Sequence, residues 1–89
     1  FRRVLFRSDD IFWITLRGLI SKGKIDEAED MLFKEAEKNP SMEIYEIGEK
    51  MYSLLANKSE EELKRYNFSK EEIDLGLEDL KRLIDKHSL

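Results

Sequence analysis

Along this chain apolar residues recur every three or four positions and hardly ever every second one, which is the spacing of helices that bury one side. Five such segments are predicted. The first covers residues 9–21, with Ser8, Asp9 or Asp10 to cap it and Gly23 to end it in a left-handed stop. The second runs from Ile25 or Asp26 to Lys38, and Ile25, Ala28, Leu32 and Ala36 form its inner stripe. Asn39-Pro40 breaks it, because the residue before a proline avoids the α region. The third is expected over 40–56, with Pro40 in its first turn and Asn39 as cap. Ile44, Ile47, Gly48, Met51, Leu54 and Leu55 share its face, and Tyr45 and Tyr52 stand one step round from it. Ser59-Glu60-Glu61-Glu62 is a capping box that opens a short fourth helix ending near Tyr66. Ser69-Lys70-Glu71-Glu72 repeats the box and opens the fifth, faced by Ile73, Gly76, Leu77, Leu80, Leu83 and Ile84. Phe68, just before the Ser69 cap, is expected to staple against Ile73.

The first helix carries two apolar stripes. Phe12, Leu16, Leu19 and Ile20 make the wide one, with Trp13 at its margin, and Ile11, Ile14 and Gly18 lie opposite. A surface helix needs one apolar face only. The second stripe is therefore expected to have a partner: a missing upstream helix, a second protomer, or Val4, Leu5 and Phe6 of the same chain.

Composition sharpens this picture. The chain has 89 residues, one proline, four glycines and no cysteine, with 40% charged residues rich in helix formers. One domain of an all-α class is expected, over residues 9–86 with 87–89 as a tail. Without cysteine there is no disulfide framework, thiolate metal site or thiol nucleophile, which fits a cytoplasmic protein. The most apolar stretch, 11–20, is about half of the roughly 20 residues a membrane span needs. The formal charge is −4, from 16 basic and 20 acidic residues, so nonspecific nucleic-acid binding is not expected. Three of those bases, Arg2, Arg3 and Arg7, lie in Phe1-Arg2-Arg3-Val4-Leu5-Phe6-Arg7-Ser8. That string resembles a translated sequencing adapter fused in frame, with no initiator Met before it. Residues 1–8 are accordingly expected to be non-native and to be removable with little change in stability, and the natural N-terminus to lie upstream. Without the three arginines, 13 bases face 20 acids and the charge becomes −7.

No catalytic, cofactor or metal residues are predicted. Asp26, Glu27, Glu29 and Asp30 crowd one helix start, but the only histidine is His87, so no Glu-x-x-His carboxylate site is possible, and no calcium loop is present. Acids early and bases late in the helices complement the helix dipole instead. The serines read as caps or turn residues with no base beside them. Gly48 and Gly76 lie on apolar faces, where a missing side chain lets another element come close. Phe12, Trp13 and Phe68 read as core, whereas Tyr45 and Tyr52 are candidates for lining a groove.

Lys22-Gly23-Lys24-Ile25-Asp26-Glu27-Ala28-Glu29-Asp30-Met31-Leu32-Phe33 resembles the turn and second helix of a tetratricopeptide hairpin, with Gly23, Ala28, Leu32 and Pro40 at the repeat's spacing. The first half of the repeat matches poorly. The fuller likeness covers about 16–83. The run from Ile25 to Phe33, Leu54-Leu55, Ser59-Glu60-Glu61-Glu62-Leu63, Asn67-Phe68-Ser69-Lys70-Glu71-Glu72-Ile73 and Gly76-Leu77-Glu78-Asp79 resemble an uncharacterised helical family of small Firmicutes proteins. In that family a residue similar to His often stands where Tyr66 stands here. The resemblance implies a fold and brings no functional residues. Together these readings give five helices in an irregular, tetratricopeptide-like array of antiparallel hairpins. The function expected is a noncatalytic protein–protein interaction or scaffold module of a bacterial cytoplasm, binding a protein partner or itself through Ile11, Ile14, Gly18, Tyr45 and Tyr52. The alternative is a regulatory or adaptor subunit whose functional part lies upstream. A small enzyme comes third.

Overall fold

The computed structural model describes residues 8–87, with side-chain surroundings for 11–86. The expected role of the adapter-like segment lies outside these residues, except that Ser8 already begins the first helix. Five helices follow one another: α1 (Ser8–Ser21), α2 (Ile25–Lys38), α3 (Met42–Ala56), α4 (Glu60–Arg65) and α5 (Lys70–His87). No strand occurs among the described residues. α5 runs through His87, so the expected tail at 87 is still helical.

Each break has a local cause. Gly23 takes φ +78°. Its amide donates to the Ile20 carbonyl at 3.0 Å, and that of Lys24 to Leu19 at 2.9 Å, the paired bonds of a left-handed helix stop. The end of α4 is built the same way on a residue that sequence reading passed over. Asn67 has φ +63°, with Asn67 N–H donating to Lys64 at 3.0 Å and Phe68 N–H to Leu63 at 2.9 Å. Asn is the side chain that tolerates this region best after Gly. Leu63 and Phe68, the apolar pair that accompanies such a stop, are both buried.

The start of α3 corrects the expectation. Pro40 stays outside the helix, and the cap is Ser41 rather than Asn39: Ser41 is extended, and its hydroxyl accepts from the Ile44 amide at 3.2 Å. Asn39 closes α2 instead, its side-chain amide donating to Glu35 at 2.9 Å. The two capping boxes each show one half of the motif. Ser59 Oγ accepts from the Glu62 amide at 3.1 Å, while the Glu62 carboxylate stands 3.8 Å from Lys58. At Ser69 the carboxylate is the capping group, and Glu72 accepts from both the Ser69 amide (2.8 Å) and its hydroxyl (3.2 Å). Glu72→Ala should therefore lose about 1 kcal/mol in chemical denaturation, and more than Ser69→Ala. Equal losses would mean that the hydroxyl makes the cap.

One cluster of buried residues joins all five helices. α3 packs on α5, α1 on α2 and α3, and α2 on α3 and α5. The predicted stripe of α2 is buried throughout, as are Ile73, Gly76, Leu80 and Ile84 of α5; Leu77 and Leu83 are half-buried against the cluster. Phe12 and Trp13 likewise pack on its edge, half-buried. Phe68 and Ile73 are buried in it together. On α3 the assignment of one pair is exchanged. Leu54, expected inside, is half-buried at the rim, and Tyr52, expected beside a groove, is fully buried. The reason is α5. Gly76 clears room for the Tyr52 ring, and a Cβ at 76 would fall on the Tyr52 hydroxyl, 2.6 Å from Cζ and 2.9 Å from Cε1. Gly48 has the matching role, since a Cβ there would fall on Leu80 Cδ2.

Candidate interaction surfaces

The outer side of α1 is built by periodicity alone. Leu16 and Ile20 are buried, which turns Ile11 and Ile14 outward, each 56% exposed. A Cβ at Gly18 would meet nothing within 4 Å. Ile11 and Ile14 are thus not covered by α2–α5, as the expectation of an outside partner requires. Trp13 sits at the border of this helix, with Lys50 Nζ 5.9 Å from its ring centre.

The structure does not bring the five candidate residues together. Ile11, Ile14 and Gly18 lie on α1, Tyr45 is half-buried on α3, and Tyr52 is enclosed. Tyr52 is therefore corrected from a groove-lining residue to a core residue.

A second surface lies between α2 and α5, where Glu29, Asp30, Phe33, Glu72, Leu75, Gly76 and Asp79 line an open hollow of about 320 Å³. Beneath it the Tyr52 hydroxyl donates to Glu29 Oε2 at 2.6 Å. Burial pushes the Tyr52 phenol up first, and its bond to Glu29 and the charges of Glu29 and Asp79 add to this. A phenol that is buried and held protonated offers no reactive oxygen to a solute. Burial also raises Glu29 above its ordinary 4.5; the Tyr52 bond pulls the other way, and the charges of Glu72, Asp26 and Asp30 raise it further. Sequence reasoning missed this pair because Tyr52 stands 23 positions from Glu29. The only signal was a Gly facing a Tyr on two apolar faces.

A raised folded-state pKa means that the folded chain binds more protons than the unfolded one above pH 4.5, so stability falls as pH rises through the folded value. Glu29→Gln keeps an oxygen for Tyr52 and removes the charge. It should raise the melting temperature at pH 7, and the gain should shrink as the pH is lowered through about 4, where the Glu29 carboxyl becomes protonated in the folded and the unfolded chain alike. A loss at pH 7 would show that the charge itself stabilises the bond.

Among the described residues no group of three or more His, Cys, Asp or Glu side chains could hold a metal ion, and no helix is long and apolar enough to cross a membrane. The fold is thus an all-α domain whose open features are surfaces. The sequence matches the DUF6483 family of unknown function over residues 4–85, and the chain belongs to that family. Neither a curated protein nor a solved structure matches it.

Proposed function

We propose that this domain is a noncatalytic protein–protein interaction module that works in a bacterial cytoplasm. The observation that carries the reading is the outward stripe of α1, where two isoleucines a third to a half of a turn from the buried Leu16 and Ile20 stand more than half exposed. Large aliphatic side chains placed at helical spacing on a helix already packed on its other side suit a second packing contact. Part of the charge in the described helices goes to caps and ion pairs, and the acidic first turns complement the helix dipole.

The test is photo-crosslinking from a benzophenone amino acid at position 14, in cells of a bacterium that encodes a member of the family. A discrete adduct is expected, to another protein or to a second copy, and Ile11→Asp should abolish it while the circular dichroism spectrum stays helical. The exposed position 61 serves as control. Adducts no different from those at position 61 would remove the ground for the reading.

A further inference from the structure

The hollow beside Glu29 does not end at Asp79. A second one of about 320 Å³ continues from it, sharing Phe33 and Asp79 and reaching Arg82, Leu83 and Lys86. Together they form one groove along α2 and α5. From Glu72 to Lys86 it is about 21 Å long at 1.5 Å per residue, or roughly four helical turns. Its apolar floor is Phe33, Leu75 and Leu83, and Leu75 is 59% exposed. Its charge is uneven. Glu29, Asp30, Glu72 and Asp79 line one end, and Arg82 and Lys86 the other together with one further acid, Glu37. Of the four carboxylates at the first end only Asp79 has a basic side chain within ion-pair distance among the described residues, Arg82 at 3.1 Å. Glu72 and Glu29 accept hydrogen bonds from neutral donors.

We infer that the α2–α5 groove is the docking site for an amphipathic helix of another protein, with its apolar edge on Phe33, Leu75 and Leu83 and its Lys or Arg side chains against Asp30 and Glu72. The inference rests on the reading of the domain as an interaction module and adds a second surface and the chemistry of what it takes. Two packed helices with apolar side chains between them accept a third helix by ordinary ridge-and-groove packing. Charge complementarity selects a basic one and speeds its encounter. The described helices of a second copy do not fit. Every described helix is net negative: two acids to one base in α1, six to two in α2, three to one in α3, three to two in α4 and six to four in α5. They would bring carboxylates against carboxylates.

The test uses the whole chain and fluorescent helical peptides of about 15 residues. One carries Leu at i, i+3, i+4 and i+7 with Lys around them; a second has Glu for Lys; a third scrambles the first. Anisotropy titrations should show the patterned Lys peptide binding at least about tenfold tighter than either control, a difference of about 1.4 kcal/mol. Asp30→Asn with Leu75→Ser should remove about tenfold of that affinity. Both side chains are exposed, so the melting curve should stay near that of the unaltered chain. Amide shifts in the labelled protein should follow α2 and α5. Equal binding of the scrambled peptide would reduce the effect to net charge and overturn the inference, as would shifts confined to Ile11 and Ile14, which would leave the interaction reading standing. Absence of binding by any peptide overturns it as well, and the crosslinking at position 14 then decides the broader reading separately.

Discussion

Gly76→Ala is expected to lower stability by about 2–4 kcal/mol, although alanine is the better helix former by about 1 kcal/mol. The added methyl would fall on the Tyr52 hydroxyl, and Cζ and Cε1 of the same ring lie at 2.6 and 2.9 Å. The ring has nowhere to go. Tyr52 has no exposed surface, and its hydroxyl is tied to Glu29 at 2.6 Å. Either the ring must leave its bond or α5 must back away from α3. A domain of this size has a total stability on the order of 4–13 kcal/mol, so the loss is a large share of it. At about 4–8 °C per kcal/mol, the melting temperature should fall by about 10 °C or more. Gly18→Ala supplies the internal contrast. It is the same substitution in a helix with nothing within 4 Å, and it should gain up to about 1 kcal/mol. Should Gly76→Ala also gain, the placement of the Tyr52 ring would be wrong.

Leu80→Ala is the second large effect. Leu80 is fully buried, and its truncation should lose about 2–5 kcal/mol in denaturant unfolding. The Gly48 contact makes the result more informative than a single value. Gly48→Ala alone should destabilise, because its methyl would fall on Leu80 Cδ2. With Leu80 cut to alanine that atom is gone, and the next neighbour is Leu32 Cδ2 at 3.4 Å, close to ordinary contact. In that background Gly48→Ala should be neutral or stabilising, filling part of the cavity and restoring helix propensity. A change of sign across the double-mutant cycle is the expected outcome. Simple addition of the two losses would mean that positions 48 and 80 do not touch.

The parts of this fold that could be read from the sequence were those settled within about four residues. The stripe Ile25, Ala28, Leu32 and Ala36 depends only on helical spacing, and all four residues are buried. Gly23 and the serines at 59 and 69 mark breaks through their own backbone or the amides beside them. What escaped depended on something distant or on a contest between neighbours. Ser41 outcompetes Asn39 because Asn39 is held by Glu35 one turn earlier. Asn67 takes the left-handed stop that a search for glycines overlooks. Leu54 and Tyr52 flank the same face of α3, and which of them is inside is decided by where α5 crosses, through Gly76. Of the surfaces, the outward stripe of α1 was legible because it is one helix long. The α2–α5 groove was not, since residues 29–37 and 72–86 meet only in the folded chain.

Gly23 and Tyr66 bring a constraint of another kind. The backbone at 23 needs a residue at ease with φ +78°, which by itself would admit asparagine as well as glycine. The Tyr66 ring withdraws that freedom, because any Cβ at 23 would fall on Cε1, with Cδ1 at 2.6 Å and Cζ at 3.0 Å. The two positions, one in the α1–α2 turn and one at the end of α4, thus constrain each other. An asparagine at 23 requires a small residue at 66 or a ring turned away from the turn. Across the family, side chains at 23 other than glycine should therefore occur chiefly together with small residues at 66, which couples the mutational steps by which its members can diverge.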